Sequence, residues 1–251
     1  MTGGREYGSR ARIGMAVPQA NPVVEPEMNI LFPSGVSVLA TRLVNPDPEP
    51  RLRFIGYLED LGKTLASYDT LKLDALGFAC TASSYLVGAA REAELVAGFS
   101  ARYGYPIVTG GAAILEALAA LNVERVAVVA PYPQFVVDAG AAYLQAAGLE
   151  IVAKHRVVTR TSDTRTIYEL GSDDALAAVR ELDLGRAQCV LFTGTGMPSL
   201  RAIDTLARSC DIPVLSTSLC MAWALAKRVQ LELPPGPHPL LNGWQSRIGQ
   251  L

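Results

Sequence analysis

The sequence predicts an α/β fold of two pseudo-symmetric lobes, each a mainly parallel sheet flanked by helices. Three observations carry this. Short β-branched or apolar runs alternate with longer segments of helical period, which calls for right-handed βαβ crossovers and parallel strands. Strands such as ALGFA and CVLFT are apolar at consecutive positions, as strands covered on both faces are. The second half of the chain also repeats the first. IGMAVP at Ile13–Pro18 matches VAVVAP at Val126–Pro131, an offset of 113. GFACTAS at Gly77–Ser83 matches LFTGTGM at Leu191–Met197, an offset of 114, and YPIVTGGAAILEAL at Tyr105–Leu118 matches IPVLSTSLCMAWAL at Ile212–Leu225, an offset of 107. Three matches in one order at nearly constant offset mark two tandem units.

The elements follow in order. Apolar or β-branched runs predict strands at Arg12–Val17, Ser37–Thr41, Ala75–Ala79, Pro106–Thr109, Arg125–Ala130, Glu150–Val158, Cys189–Thr193 and Pro213–Ser216. Helical periodicity predicts Arg53–Tyr68, Tyr85–Tyr103, Ala112–Leu121, Tyr132–Ala147, Asp173–Leu182, Ser199–Ser209 and Ser218–Lys227. The expected organisation is an N-terminal extension at 1–11, lobe one at 12–118, lobe two at 119–228 and a proline-rich arm at 229–251. The arm is expected to pack on the surface or on a partner subunit, to complete part of the first sheet, or to stay disordered.

Composition narrows the chemistry. The 251 residues are 50% hydrophobic and 18% charged, which suits a sizeable core and argues against disorder. With 22 basic residues against 24 acidic, there is no electrostatic footprint for nucleic acid or an anionic membrane. His155 and His238 are the only histidines, so a three-histidine zinc site is excluded and a serine triad would need one of these two. Cys80, Cys189, Cys210 and Cys220 show no CxxC spacing, which argues against a disulfide scaffold or a zinc ribbon. Met1–Arg12 is polar with no apolar stretch after its charges, and no apolar run approaches the ~18 residues of a membrane span. A cytoplasmic protein with no metal is the expectation.

Ligands of open α/β sheets bind beyond the carboxyl ends of the strands. The expected active site is therefore the inter-lobe cleft, where Cys80-Thr81-Ala82-Ser83-Ser84 and Gly194-Thr195-Gly196-Met197 each lead into a helix. Backbone N–H groups at such turns suit a carboxylate or oxyanion. Cys80 would have its pKa lowered by the helix N-terminus, favouring the thiolate, although a small buried hydrophobe is the alternative. Cys189 and Cys210 read as structural, and Cys220, opening the last matched helix, is the rival thiol. In PQANPVVEPEMN, Asn21 and Gln19 after Pro18 offer amides to a carboxylate, or form an Asn-Pro turn before a helix. Glu27 reads as a first-turn partner of the helix dipole, and Glu25 stands between that role and a site role. Tyr132 either reaches the cleft or packs at its rim. His155 reads as solvated, and the GTG of Gly194–Gly196 is too short for a dinucleotide fingerprint. Cleft specificity is expected from the loops Asn45–Arg51 and Thr159–Thr166.

The segments GMAVPQANPVVEPE, ACTASSYLVG, VAVVAPYPQFV, FTGTGMPSLRAID and IPVLSTSLCMAW carry a resemblance that runs from about Arg12 to Arg228. The chain resembles the aspartate/glutamate racemase superfamily, in its branch of maleate cis–trans isomerases and arylmalonate decarboxylases. That resemblance implies a cofactor-free enzyme holding a small dicarboxylic acid between two lobes, as a monomer or a homodimer. In the isomerases it implies a nucleophile at Cys80 and carboxylate-binding residues at Asn21 and Tyr132. In the decarboxylases it implies that Thr81, Tyr132, Thr195 and Gly196 stabilise an enediolate, to which the turn residues Ala82 and Gly194 add backbone. The sequence departs from the family where a second-lobe cysteine is replaced by Gly194, and where a second-lobe asparagine aligns with Thr164. Three expectations follow: a cysteine-dependent isomerase of an unsaturated dicarboxylate, a malonate-type decarboxylase with Cys80 as proton donor, or a non-catalytic dicarboxylate-binding protein.

Overall fold

The computed structural model describes residues 5–159, 161 and 163–250. Residues 1–4 of the expected N-terminal extension, Arg160 and Ser162 of the second specificity loop, and Leu251 of the arm lie outside the described residues. The first sheet takes β1 (Ala11–Pro18), β2 (Val36–Leu43), β3 (Ala75–Phe78) and β4 (Ile107–Thr109) in the order β2-β1-β3-β4. The second takes β5 (Arg125–Ala130), β6 (Glu150–Arg156), β7 (Cys189–Phe192) and β8 (Val214–Ser216) in the order β6-β5-β7-β8. Every pairing is parallel, and the two orders superpose strand for strand on the internal repeat. Wholly buried β3 and β7 account for their unbroken apolar sequences.

Ten helices cover the described sheets: α1 (Val24–Leu31), α2 (Pro50–Glu59), α3 (Leu61–Leu65), α4 (Thr81–Val87), α5 (Ala89–Tyr103), α6 (Gly110–Ala120), α7 (Gln134–Ala146), α8 (Ser172–Arg180), α9 (Leu200–Leu206) and α10 (Thr217–Arg228). The helices that follow the last strand of each repeat, α6 and α10, pack against each other, and small buried residues on both permit the approach: Gly110, Ala113 and Ala117 on α6, Ala222 and Ala224 on α10. Helices α4 and α7 join the lobes at a second place, with the Tyr85 ring seated where a side chain at Gly140 would stand.

Two expected helices are subdivided, and both begin earlier than expected. The segment expected at Arg53–Tyr68 starts at Pro50, because Glu49 accepts the N–H groups of Arg51 and Leu52 and proline suits the first helical position. It then breaks at Asp60 into α2, α3 and a 3-10 turn over Ala66–Tyr68. The segment expected at Tyr85–Tyr103 begins directly after Cys80 and divides at Gly88, whose φ of +82° no helix accommodates.

The C-terminal arm adds no strand to the first sheet, whose four strands all come from residues 11–109. It packs on its own chain instead of being disordered. Leu241 and Trp244 are buried, and the Arg247 guanidinium donates to the carbonyls of Ile30 at 2.7 Å and Leu31 at 3.2 Å. Prolines at 234, 235, 237 and 239 remove the N–H groups a ladder would need. No helix among the described residues is long and apolar enough to cross a membrane.

Candidate active site

The carboxyl ends of β1, β3, β5 and β7 converge on a cavity of about 380 Å³ between the lobes. Just beyond β1, the Asn21 N–H returns to the Pro18 carbonyl at 2.9 Å, and the Asn21 side-chain oxygen accepts from the Val23 N–H at 2.8 Å. This is the turn expected after Pro18, and it leaves the amide Nδ2 facing the second lobe. There Nδ2 donates to the Thr195 carbonyl at 3.1 Å and to Thr195 Oγ1 at 3.2 Å, while Thr195 Oγ1 donates to the Ala79 carbonyl at 2.8 Å. One chain of bonds thus ties the turns after β1, β3 and β7 together.

Of the residues expected at the site, Cys80, Asn21, Ala82, Tyr132, Thr195 and Gly196 line this cavity, as do Pro18, Gln19 and Thr164. Three others do not. Thr81 is fully buried and not among the lining residues, and its hydroxyl has no hydrogen-bond partner among the described residues. Gly194 spends its N–H on Thr217 Oγ1 at 2.9 Å instead of presenting it to a ligand. Cys220 is wholly buried in α10, where burial and the neighbouring Cys189 push its thiol up. Neither histidine lines the cavity; His238 is spent on the Val214 carbonyl at 3.2 Å.

Cys80 ends the first-lobe strand and caps α4 with an extended backbone, φ −127° and ψ 91°. Its thiol is pushed up from its ordinary 9.0, not lowered as the helix N-terminus led us to expect. Burial is the largest cause. The Ser83 hydroxyl, the N–H groups of Ser83 and Ala82 and the Arg53 guanidinium pull the other way without overcoming it. With its pKa raised above the ordinary 9.0, the thiol is protonated at neutral pH.

Opposite stands a phenol in place of a second thiol. Gly194 has φ +100°, and a Cβ placed on it would lie 2.7 Å from Tyr132 Oη and 2.9 Å from Cζ. The Tyr132 hydroxyl therefore occupies the space that a side chain at 194 would claim. Its pKa is raised well above 10, by burial first and by Cys80 second, so it stays a neutral hydrogen-bond donor.

The family model for arylmalonate decarboxylase matches residues 13–238. The chain belongs to the arylmalonate decarboxylase family. Its relatives in this family include the maleate isomerase of Nocardia farcinica, 28% identical over 92% of this chain and 95% of that protein, and the arylmalonate decarboxylase of Bordetella bronchiseptica, 26% identical over 87% and 90%. The fold is that of the Pseudomonas putida S16 maleate isomerase crystallised with maleate, at a TM-score of 0.83 over 93% of this chain and 98% of that one, with 21% identity. A cysteine-to-serine mutant of the Nocardia farcinica maleate cis–trans isomerase, holding a covalently bound succinylcysteine intermediate, matches at a TM-score of 0.75 and 25% identity over 88% and 93%. Within the arylmalonate decarboxylase family, then, this chain keeps a first-lobe thiol in its cavity and pairs it with a glycine and a tyrosine.

Several cavity residues were not named one by one from the sequence, although some lie in the two loops expected to set specificity. Arg53 and Tyr57 arrive on α2, Asn45 and Asp47 on the loop before it, and Arg165 and Tyr168 on a 3-10 turn over Thr164–Glu169. The two loops expected to set specificity do supply lining residues. A signal for Arg53 was present: a cation in the first turn of a helix opposes the helix dipole, and needs a reason to be there. Glu25 pairs with Arg42 at the rim, and Glu27 proves to be a buried carboxylate, not a surface partner of the helix dipole.

Proposed function

We propose that the protein is a cofactor-independent, cysteine-dependent isomerase of a small unsaturated dicarboxylate, with Cys80 as its nucleophile. The observation that carries this is the placement of Cys80 in the cavity wall at the β3–α4 turn, at the N-terminus of α4 and in the same cavity as Arg53. Cys80 Sγ adds to one alkene carbon and forms a C–S bond. The π pair moves to the neighbouring carbon, is delocalised into its carboxylate, and is neutralised by the proton that leaves the thiol. The link between the two carbons is now single and rotates. Return of a proton from that carbon to the departing sulfur restores the double bond and regenerates the thiol, so atoms and charge balance without a second thiol. A covalent succinylcysteine in a relative supports this sequence of bonds. The proposed place of action is the cytoplasm, where the four free cysteines stay reduced.

The test is conversion of maleate to fumarate followed by NMR, with Cys80→Ala as the variant. Turnover is expected to fall by more than about 10⁴-fold, as when an enzyme loses its nucleophile. Unchanged turnover in Cys80→Ala removes Cys80 from the chemistry.

One observation favours a second reading. A buried thiol held protonated suits a proton donor, so a malonate-type decarboxylase with Cys80 delivering the proton to an enediolate is the alternative. Decarboxylation of a prochiral arylmalonate, with the optical sign of the product measured, separates the two. Tight binding of dicarboxylates with no conversion of either substrate class would leave a binding protein.

A further inference from the structure

We infer that Arg53 receives one carboxylate of the substrate and makes this cavity selective for dianions. The inference rests on the dicarboxylate reading above and adds to it the residue that recognises the second charge. Two cations line the cavity, and they are differently engaged. Arg165 is exposed and already answered: its Nε and Nη2 reach both oxygens of Asp163 at 2.7 to 3.0 Å. Arg53 is half-buried and forms no ion pair among the described residues.

What holds Arg53 are neutral acceptors. Nη2 donates to Thr164 Oγ1 at 2.9 Å and Nη1 to the Asp47 carbonyl at 3.2 Å, while the guanidinium carbon stands 5.7 Å from the Phe54 ring centre. The Asp47 carboxylate, though it lines the cavity, is turned back to its own loop and accepts the Glu49 N–H at 2.9 Å. A guanidinium fixed on two sides by uncharged groups, at the wall of a cavity and against its own helix dipole, has planar donors to spare and no carboxylate in contact among the described residues. A carboxylate is the ligand that the fork geometry fits.

Arg53 and Cys80 line the same cavity, so a carboxylate held by the guanidinium lies in the chamber that holds the reacting sulfur. Thr164 serves as a positioning residue: buried on the second lobe, it aims a first-lobe arginine, and dianion recognition is thereby built from both lobes.

Calorimetry tests this without turnover. Succinate, which has no double bond to isomerise, and its monomethyl ester, which carries one charge fewer, are titrated into the wild type, Arg53→Met and Arg53→Lys. The wild type is expected to prefer succinate. Arg53→Met should weaken succinate by about 10- to 100-fold, the range of a charged hydrogen-bonded contact, and erase the preference, with Arg53→Lys between. Thr164→Val, which leaves the cation in place, should raise KM while kcat holds. Equal succinate binding by wild type and Arg53→Met overturns the assignment of Arg53 and leaves the dicarboxylate site standing. Failure of the wild type to bind either ligand overturns both.

Discussion

The turns after β3 and β7 occupy equivalent places in two sheets of identical strand order, yet they differ in what they offer a ligand. The first presents a thiol from extended backbone at the N-terminus of α4. The second passes through φ +100° at Gly194, gives its N–H to Thr217, and leaves the space above it to a tyrosine from a different strand end. The pseudo-symmetry lies in the backbone, whereas the chemistry is polarised: sulfur on one face of the cavity and a phenol on the other. On the proposed function, a substrate carbon held between them would meet a nucleophile or acid from lobe one and only a hydrogen-bond donor from lobe two.

The most severe way to break this contrast is to remove the phenol. Tyr132→Phe deletes the hydroxyl and leaves the ring, so kcat is expected to fall by about 10²- to 10³-fold, the usual cost of losing one preorganised donor at developing charge. A fall of less than about threefold, a negligible part of that span, would mean that the second lobe contributes shape alone.

A second thiol can also be offered. Gly194→Cys puts a side chain on a left-handed backbone and drives its Cβ to within 2.7 Å of Tyr132 Oη. Strain and overpacking together should cost about 2 to 4 kcal/mol in denaturant unfolding, with no gain in turnover. Adding Tyr132→Phe relieves the clash but not the backbone strain, so the pair should recover part of the loss. Full stability and raised turnover in Gly194→Cys would show that the glycine is an accident of sequence and not a fit to Tyr132.

Legibility follows the same divide between local and tertiary causes. The strands and Cys80 could be read from the chain because a buried parallel strand and its terminal turn are continuous in sequence. The start of α2 was missed because the Glu49 cap sits among prolines 46, 48 and 50, which read as a loop. Arg53 was passed over because its partner Thr164 lies 111 residues away. The direction of the Cys80 shift was misjudged since a helix N-terminus is visible in sequence, whereas the burial that outweighs it is not. Glu27 failed for the same reason: a carboxylate in a first turn looks like a dipole partner, and its true contacts are 172 and 173 residues distant.

That carboxylate gives the smallest effect and sharpens the contrast at its base. The second-lobe turn is held from the other lobe: Glu27 Oε1 accepts the N–H groups of Ser199 at 2.7 Å and Leu200 at 3.2 Å, and the Ser199 hydroxyl at 3.1 Å, capping α9 just after Gly194–Met197. Glu27→Ala strands those N–H groups and should cost roughly 1 to 3 kcal/mol. The pH dependence has a definite sign. Burial raises the Glu27 pKa from its ordinary 4.5, against the pull of donors from Ser199, Ser218 and Leu200. Between 4.5 and the raised value the folded chain binds more protons than the unfolded one, so stability falls as pH rises through that window. Glu27→Gln keeps an acceptor for the cap but cannot titrate. Melting curves taken in steps upward from pH 4.5 should therefore show the wild type losing ground to Glu27→Gln; a wild type that gains on it instead would mean that the cap needs the charge, and that the second-lobe turn is held by an ion rather than by a shared proton.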